Sequence, residues 1–414
     1  MAVPTLALIP AAQGSKLYSV LPSNGVGDFD FTRASTATRI NSKGLIEEVA
    51  SGVSRLDYTG GGCPHHLLEP QTTNSFLQSN KFDTTWTTGT TTVTNNQIGV
   101  GGSIDAWKLK ENGLNGQKFL KQTPNVGGVV TVSLYAKADT RDFVYLRGVT
   151  GGVNKRTWFD LRNGVVGVNQ FTSAEMISMG DGWYRCVATL NHQAAFEYYI
   201  GISKEDGVET YQGNGVGSIY IQNSQLELGS YASSYIPTNG STVTRLAETA
   251  DNAGNAATFN DSEGVLFAEI SALANGSFRY ITLSDGTDSN NVQFGFFPLP
   301  KQVQFEVSSG GSSQLSYLDT NIDVLFNTKL LIKYKQNDLS IYVNGFEVHT
   351  DSSGLSPIGL DRICFDRGDG CGDNFYGKTK KLEYYNTALT SLEMETLTSY
   401  TSFNEMALNF NYTI

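Results

Sequence analysis

Aromatic and charged side chains alternate with apolar ones along three predicted strands in the first half of the chain, and this combination suits the binding of a sugar. Apolar residues at every second position, such as Val132 and Leu134, predict a core-facing side, so the residues between them face outward. The predicted outward side chains are Tyr135, Lys137, Tyr145, Arg147, Trp158, Asp160 and Arg162. Sugars stack C–H groups on aromatic rings while their hydroxyls bond to charged or amide groups. The pattern therefore predicts a glycan-binding platform or, equally, a face covered by a neighbouring subunit or domain.

Two loops in the second half contain clustered carboxylates of the kind that bind calcium. The candidates are Asp285 and Asp288 in one loop, and Asp366, Asp369 and Asp373 in the other. Calcium prefers oxygen ligands in flexible loops. Neither cluster has the spacing of a known calcium loop, and aspartates in turns often serve to bond the backbone. Calcium is the one cofactor considered; otherwise none is expected.

The segment Gly372–Thr379 matches the phosphate-loop pattern GxxxxGK[ST]. That pattern binds phosphate when a helix follows the loop, because the N-terminal amides of the helix hold the phosphate oxygens. Here the following residues, Lys380–Tyr385, alternate as a strand would. We therefore expect no nucleotide site.

No arrangement of residues typical of a catalytic site is apparent. A pair of carboxylates spaced along one strand, as in many glycosidases, is missing, and so is a GxSxG elbow. Glu227, Glu393 and Glu395 lie where packing or helix capping accounts for them. The chain is expected not to be an enzyme, with a glycan depolymerase or hydrolase as the alternative if catalytic residues come together from distant positions.

Composition favours a β-rich protein that binds no nucleic acid. Among 414 residues there are 44 Gly, 20 Tyr and 22 Phe, and only 17% are charged. A net charge of −11 without a basic cluster argues against binding to a phosphate backbone. No run of residues is long and apolar enough for a membrane helix, and the N-terminus has no basic region typical of a signal peptide. Four cysteines do not suffice for a disulfide scaffold; whether Cys364 and Cys371 pair stays open.

Turn signals and alternation divide the chain into an all-β, multi-domain arrangement. Strands and the Asn163-Gly164 turn predict a jelly-roll sandwich over residues 81–237. A polar stretch at 238–257 is typical of a linker. A second sandwich is predicted over 258–400, followed by a tail at 401–414. Residues 1–80 contain short hairpins and too few apolar residues to close a core, so this segment is expected to be stable only when docked.

The N-terminal segment also carries a family resemblance. Its phrases FTRASTATRIN, GLIEEV, RLDY and LLEPQTTN, between Asp28 and Asn74, resemble a module near the N-terminus of tailed-bacteriophage head-fibre, head-spike and tail-fibre proteins. That resemblance implies attachment to a virion and contact with other virion proteins of the capsid, portal or tail. It also implies assembly in the host cytoplasm, as a homotrimer. Head and tail locations both remain open.

The two predicted sandwiches resemble known families as well. The phrases TVSLYAKA, FDLRNGVV, GDGWYRC and QLELGSYASSYIPT resemble jelly rolls of the carbohydrate-binding-module type. The phrases KYKQNDLSIYVNGFEV and FYGKTKKLEYYNTALTSLEMETL resemble concanavalin A-like domains of the laminin-G type. Together the resemblances imply a virion structural protein that displays domains binding a host cell-surface glycan or receptor, without membrane insertion. A purely structural capsid-decorating or tail-fitting protein is a further alternative.

Overall fold

Antiparallel strands make up about half of the chain, as its alternating apolar residues and frequent turn residues dictate. The computed structural model describes residues 2–9, 12–13, 16–370, 372–402 and 406–407. The prediction of an all-β fold with two successive sandwiches is confirmed. No helix among these residues is long and apolar enough to cross a membrane.

The N-terminal region contains nine short strands. They are β1 (Leu6–Leu8), β2 (Ala12–Gln13), β3 (Lys16–Leu17), β4 (Asp30–Thr32), β5 (Ala37–Ile40), β6 (Ile46–Val49), β7 (Leu56–Asp57), β8 (His65–Leu68) and β9 (Thr72–Asn74). Strands β5 and β6 form the predicted hairpin around Asn41-Ser42-Lys43-Gly44. The Asn41 side chain accepts hydrogen bonds from the amides of Lys43 and Leu45, and Gly44 takes a positive φ of 78°. The turn residues thus account for the hairpin.

Twelve of the next fourteen strands form the two sheets of the first sandwich, and the other two pair with each other. The fourteen strands are β10 (Thr87–Gly89), β11 (Thr91–Gln97), β12 (Ala106–Glu111), β13 (Asn115–Gln117), β14 (Phe119–Gln122), β15 (Gly128–Ala138), β16 (Phe143–Thr150), β17 (Val153–Asp160), β18 (Val165–Asn169), β19 (Ser173–Gly180), β20 (Trp183–His192), β21 (Tyr198–Ser203), β22 (Thr210–Gln212) and β23 (Ser218–Leu228). A 3₁₀ turn spans Val100–Gly102. One six-stranded sheet has the order β11-β12-β23-β15-β20-β19, and the other has the order β10-β14-β21-β16-β17-β18. Val132, Leu134, Val144 and Phe159 lie in the core between them, as the alternation predicts.

The second sandwich takes its own strands from residues after 262. The remaining elements are β24 (Val243–Arg245), β25 (Thr249–Asp251), β26 (Glu263–Ala272), β27 (Arg279–Ser284), β28 (Asn291–Phe296), β29 (Val303–Ser309), β30 (Ser312–Asp319), β31 (Thr328–Lys335), β32 (Leu339–Val343), β33 (Phe346–Asp351), β34 (Arg362–Cys364), β35 (Gly377–Tyr385) and α1 (Ser391–Thr398). A five-stranded sheet, β30-β29-β28-β27-β34, packs against an eight-stranded sheet. Helix α1 covers the outer face of the larger sheet through Met394.

Three of the eight strands in that larger sheet come from the N-terminal region. Strands β1 and β8 both pair with β35, and β7 pairs with β8. Leu6, Leu8, Phe29 and Leu68 lie in the core of the second sandwich. The segment is therefore docked, as its few apolar residues require, but on the second sandwich of its own chain.

The stretch 238–257, interpreted from its composition as a linker, is structured. Its strand β24 pairs with β9 and its strand β25 pairs with β4. Arg245 and Glu248 are buried there. The linker interpretation is wrong because polar composition indicates solvent exposure only when the charges lack partners, and these charges are paired within the fold.

Candidate functional site

The seven side chains predicted to share an outward face do not do so. Tyr135 lies on β15, whereas Tyr145 and Trp158 lie on β16 and β17 of the opposite sheet. Residues that point away from the core in opposite sheets of a sandwich emerge on opposite sides. Alternation fixes which way a side chain points relative to its own strand, so it could not reveal that the strands belong to different sheets. The prediction of one shared platform is therefore wrong.

Tyr145 and Trp158 are a buried cross-strand pair. They lie opposite each other in the register, their ring centroids are 5.8 Å apart, and they are 0% and 2% exposed. The Tyr145 ring lies over Gly201, where a Cβ would come within 2.0 Å of it. Burial raises the pKa of the Tyr145 phenol. Because neither ring is accessible, neither can stack on a sugar.

Three of the four charged members of the predicted face have partners within the protein. Arg147 lies 4.0 Å from the ring centroid of Tyr199 and bonds Glu209 at 3.1 Å. Asp160 accepts hydrogen bonds from the amides of Arg162 and Asn163. The Arg162 side chain is 63% exposed and pairs with Asp142, and Lys137 is half-buried at the end of β15. These groups stabilise the sandwich, and the expectation that they bind sugar hydroxyls has no support in their geometry.

Tyr135 has a different environment, at a cavity between the two sandwiches. The N-terminal hairpin covers it through Ile46, and its ring is 2% exposed. Its phenol lines a cavity of about 330 Å³ that residues of the N-terminal region, the first sandwich and the second sandwich enclose together. Burial raises the pKa of this phenol, which is therefore neutral. It has no hydrogen-bond partner among the described residues.

Two further cavities adjoin the cavity at Tyr135 along the junction of the sandwiches. A second cavity of about 380 Å³ shares Glu175, Tyr231 and Leu273 with the first. A third, of about 680 Å³, shares Tyr231 and Asn275 with the second. We call these three adjacent cavities the junction cleft. Tyr231 lines all of them, half-buried, and its phenol has no hydrogen-bond partner in the described part of the chain.

Three cations line the junction cleft without a carboxylate partner within the described ranges. Arg185 lies 5.5 Å from the ring centroid of Tyr135 and donates from Nη2 to the Ser233 carbonyl at 2.6 Å, while its Nε has no partner. Arg279 is buried and Lys378 is half-buried. Sequence reasoning missed the cleft because its lining comes from residues far apart in the chain, and no local pattern joins them.

Two of the calcium candidates, Asp285 and Asp288, have partners within the protein. Asp285 accepts hydrogen bonds from Thr287 and Asn290 within its own turn, and Asp288 pairs with Arg367 at 3.4 Å. Asp369 and Asp373 belong to no group of potential metal ligands among the described residues. The contacts of Asp285 are those of an ordinary turn, whereas the ion pair of Asp288 joins the two loops.

Asp366 does join a group of potential ligands, with Asp251 and Cys364, whose ligand atoms lie within 4.8 Å of one another. A sulfur ligand suits softer metals than calcium, so this group does not fit a calcium site. The possible partner of Cys364, Cys371, lies outside the described residues.

A strand follows the phosphate-loop pattern, as the sequence predicts. Gly377 begins strand β35, so no helix N-terminus follows the loop. Lys378 lines the junction cleft instead.

Glu227 is buried and bonds Ser233 and Gln225, and Glu393 caps helix α1 in a capping box with Thr390. Both glutamates therefore have the structural roles expected of them.

Comparison with known proteins finds no sequence match and only structures of low similarity, so the architecture is described from the strand pairing of this chain. No protein-family model matches the sequence, and no curated protein sequence matches it. Among solved structures, the CBM40 of the Ruminococcus gnavus IT-sialidase is similar at 12% identity, over 36% of this chain and 94% of that one, with a TM-score of 0.30.

Two further similar structures are tandem β-sandwich proteins. Domains LG4-5 of the mouse laminin alpha1 chain match at 10% identity over 80% of this chain and 93% of that one, with a TM-score of 0.25. The CBM22-1-CBM22-2 tandem of Paenibacillus barcinonensis Xyn10C matches at 11% identity, over 77% of this chain and 97% of that one, with a TM-score of 0.23. At these scores and identities the likenesses carry no argument about ligand or activity.

Proposed function

We propose that this chain is a structural protein of a tailed-phage virion that binds a host glycan in the junction cleft. The proposal that the cleft binds a glycan rests on the side chains that line it. Arg185, whose Nε is buried without a partner, and the half-buried Tyr231 line a concave space whose wall includes the Tyr135 ring. Concave sites with a few convergent polar groups and aromatic walls are typical of small-molecule and sugar sites.

The virion part rests on the resemblance of Asp28–Asn74 to a phage head-fibre, head-spike and tail-fibre module. In this structure that segment packs on the second sandwich and forms one wall of the first cavity. Attachment to capsid, portal or tail proteins would therefore use the exposed side of the segment. A homotrimer would present three clefts, and repeated weak sites on one particle bind a cell tightly through avidity.

The binding proposal is tested with purified full-length protein on a glycan array, followed by calorimetry with the best glycan. Tyr231→Ala is expected to weaken binding about 5–150-fold, the range of an interface aromatic worth about 1–3 kcal/mol. Tyr317→Ala is the matched control, since Tyr317 stacks on His349 far from the cleft lining. Equal losses in both variants, or binding that survives in Tyr231→Ala, would remove the cleft as the site.

The virion and enzyme questions need separate measurements. Mass spectrometry of density-purified particles of the phage that encodes the chain is expected to find it at a fixed copy number, and its absence would refute the virion role. A reducing-end assay on the bound glycan is expected to show no release over time. Release that requires cleft residues would instead establish the depolymerase alternative.

A further inference from the structure

Arg279 is a buried cation that lacks a counter-charge in the described part of the chain. It is 5% exposed, and its one hydrogen bond runs from Nη1 to the Ala274 carbonyl at 2.5 Å. Its Nε is buried without a partner. Burial lowers the pKa of this guanidinium, which reflects the cost of keeping the charge there. A buried charge without a partner lowers the stability of the folded protein, so the unpaired guanidinium of Arg279 calls for an explanation.

The other fully buried arginines of this chain show how the fold usually meets that cost. Arg33 and Arg55 bond Glu248, and Arg245 bonds Glu69. Each of these three guanidinium groups has a carboxylate within 3 Å. Arg279 is the exception among the buried arginines of the described ranges, and it is the one whose side chain lines the junction cleft.

The free edge of Arg279 has the geometry that a carboxylate needs. Nη1 bonds the Ala274 carbonyl, and Nε is buried without a partner. No hydrogen bond of Nη2 is found among the described residues, and the Arg279 side chain lines the third cavity of the cleft, of about 680 Å³, together with Asp373. Nε and Nη2 form the planar fork that holds a carboxylate through two parallel hydrogen bonds. Tyr231 lies close enough to affect the charge of Arg279, and Asn275 adds a buried amide oxygen without a partner.

We propose that Arg279 binds the carboxylate of an acidic sugar residue, so that the glycan of the junction cleft is a uronic-acid type of polysaccharide. This inference rests on the proposed glycan binding and names its ligand class. Tyr231 lies alongside the sugar ring, and Asn275 accepts a hydrogen bond from a sugar hydroxyl. Arg185 and Lys378, further along the cleft, line the first cavity together with Glu175 and Asp57, so that end of the cleft holds charges of both signs.

The test is calorimetry of the full-length protein with three probes: an oligogalacturonate, its methyl-esterified neutral form, and dextran sulfate as a sulfated glycan without carboxylates. The parent is expected to bind the oligogalacturonate at least 10-fold more tightly than the methyl ester. Equal binding of acid and ester overturns the proposal, and so does tighter binding of dextran sulfate, which would assign the fork to a sulfate. If neutral glycans bind and acidic ones are not preferred, the uronic-acid ligand is refuted while the proposed glycan binding remains. If no glycan binds, both proposals are refuted.

Variants of Arg279 make the test specific to the fork. Arg279→Lys keeps the charge but removes the planar fork, and is expected to lose at least 10-fold in affinity for the acid with little change for the ester. Arg367→Gln is the control, because Arg367 is an exposed cation paired with Asp288. Thermal unfolding checks that each variant folds. Unchanged affinity in a folded Arg279→Lys protein would overturn the proposal. If that variant is unfolded, the proposal is decided by whether the parent prefers the acid to its methyl ester.

Discussion

Arg55 and Glu248, which are 193 residues apart in the sequence, form an ion pair whose two side chains are fully buried. Glu248 also bonds Arg33, and Arg55 also bonds Glu69, which in turn bonds Arg245. This cluster joins the N-terminal region to the stretch 238–257. The pairing lowers the pKa of Glu69 to about 2 in spite of its burial. The junction between the two sandwiches is therefore held by charges as well as by strands.

Removal of one charge from this cluster should be severely destabilising. Glu248→Gln leaves Arg33 and Arg55 buried with less compensation, and we expect a loss of about 3–5 kcal/mol in the free energy of unfolding. Urea unfolding followed by tryptophan fluorescence measures it. Glu263→Gln, which removes a half-exposed partner of Lys335, is the control and should unfold close to the parent. Equal stabilities of the two variants would contradict the argument.

A second prediction concerns Asp251. Burial, with Asp366 and Asp30 nearby, raises the pKa of this carboxyl to about 6. A raised folded-state pKa means that stability is present while the group is protonated, below about pH 4, and is lost as the pH rises through 6. Asp251→Asn should therefore be more stable than the parent at pH 7, by about 1–3 kcal/mol at 1.36 kcal/mol per pKa unit. The difference between the two proteins should shrink toward pH 4, and a constant difference would refute the assignment.

His66 should produce the opposite trend. Burial lowers its pKa to about 3, so between pH 6.5 and 3 only the unfolded chain binds this proton, and stability falls as the pH falls through that window. Between pH 6.5 and 5 the loss is about 2 kcal/mol. His66→Leu should lose less stability than the parent over the same interval, measured by urea unfolding at each pH. Parallel curves would mean that His66 takes up its proton in the folded state.

The packing of Tyr145 on Gly201 gives a prediction about the first sandwich alone. Gly201→Ala places a methyl group inside the space of the ring, and overpacking of this kind costs about 1–3 kcal/mol. Gly113→Ala is the matched control, because a Cβ there meets nothing within 4 Å. Tyr145→Leu combined with Gly201→Ala should recover part of the loss in a thermal melt. If the two glycine variants melt together, the ring does not occupy that space.

Deletion of residues 1–74 should damage the second sandwich. It removes β1 and β8 from β35 and takes Leu6, Leu8 and Leu68 out of the core. We expect the truncated chain to be largely insoluble or to lose the unfolding transition of that sandwich, as calorimetry would show. A soluble truncated protein with both transitions intact would contradict the observed pairing.

Local signals predicted local structure well in this chain. Asn163-Gly164 lies between β17 and β18 as expected, with Gly164 at a φ of 68°, and the core-facing residues of β15 and β16 are those that alternation selects. What could not be predicted is long-range. The pairing of Leu6–Leu8 with β35, the burial of Arg245 and Glu248, and the cleft lined by Tyr135, Tyr231 and Arg279 each depend on residues that no short window contains together.

The pairing of β1 with β35 also constrains the order in which the chain can fold during synthesis. A ribosome delivers Leu6 and Leu8 almost a whole chain length before it delivers their partners Tyr384 and Leu382. The first sandwich draws its strands from residues 87–228 and can close early. The N-terminal strands must wait with their apolar side chains unprotected, and non-local pairing of this kind is slow. Premature termination late in translation would therefore leave the beginning of the protein, and not only its end, without a place to fold.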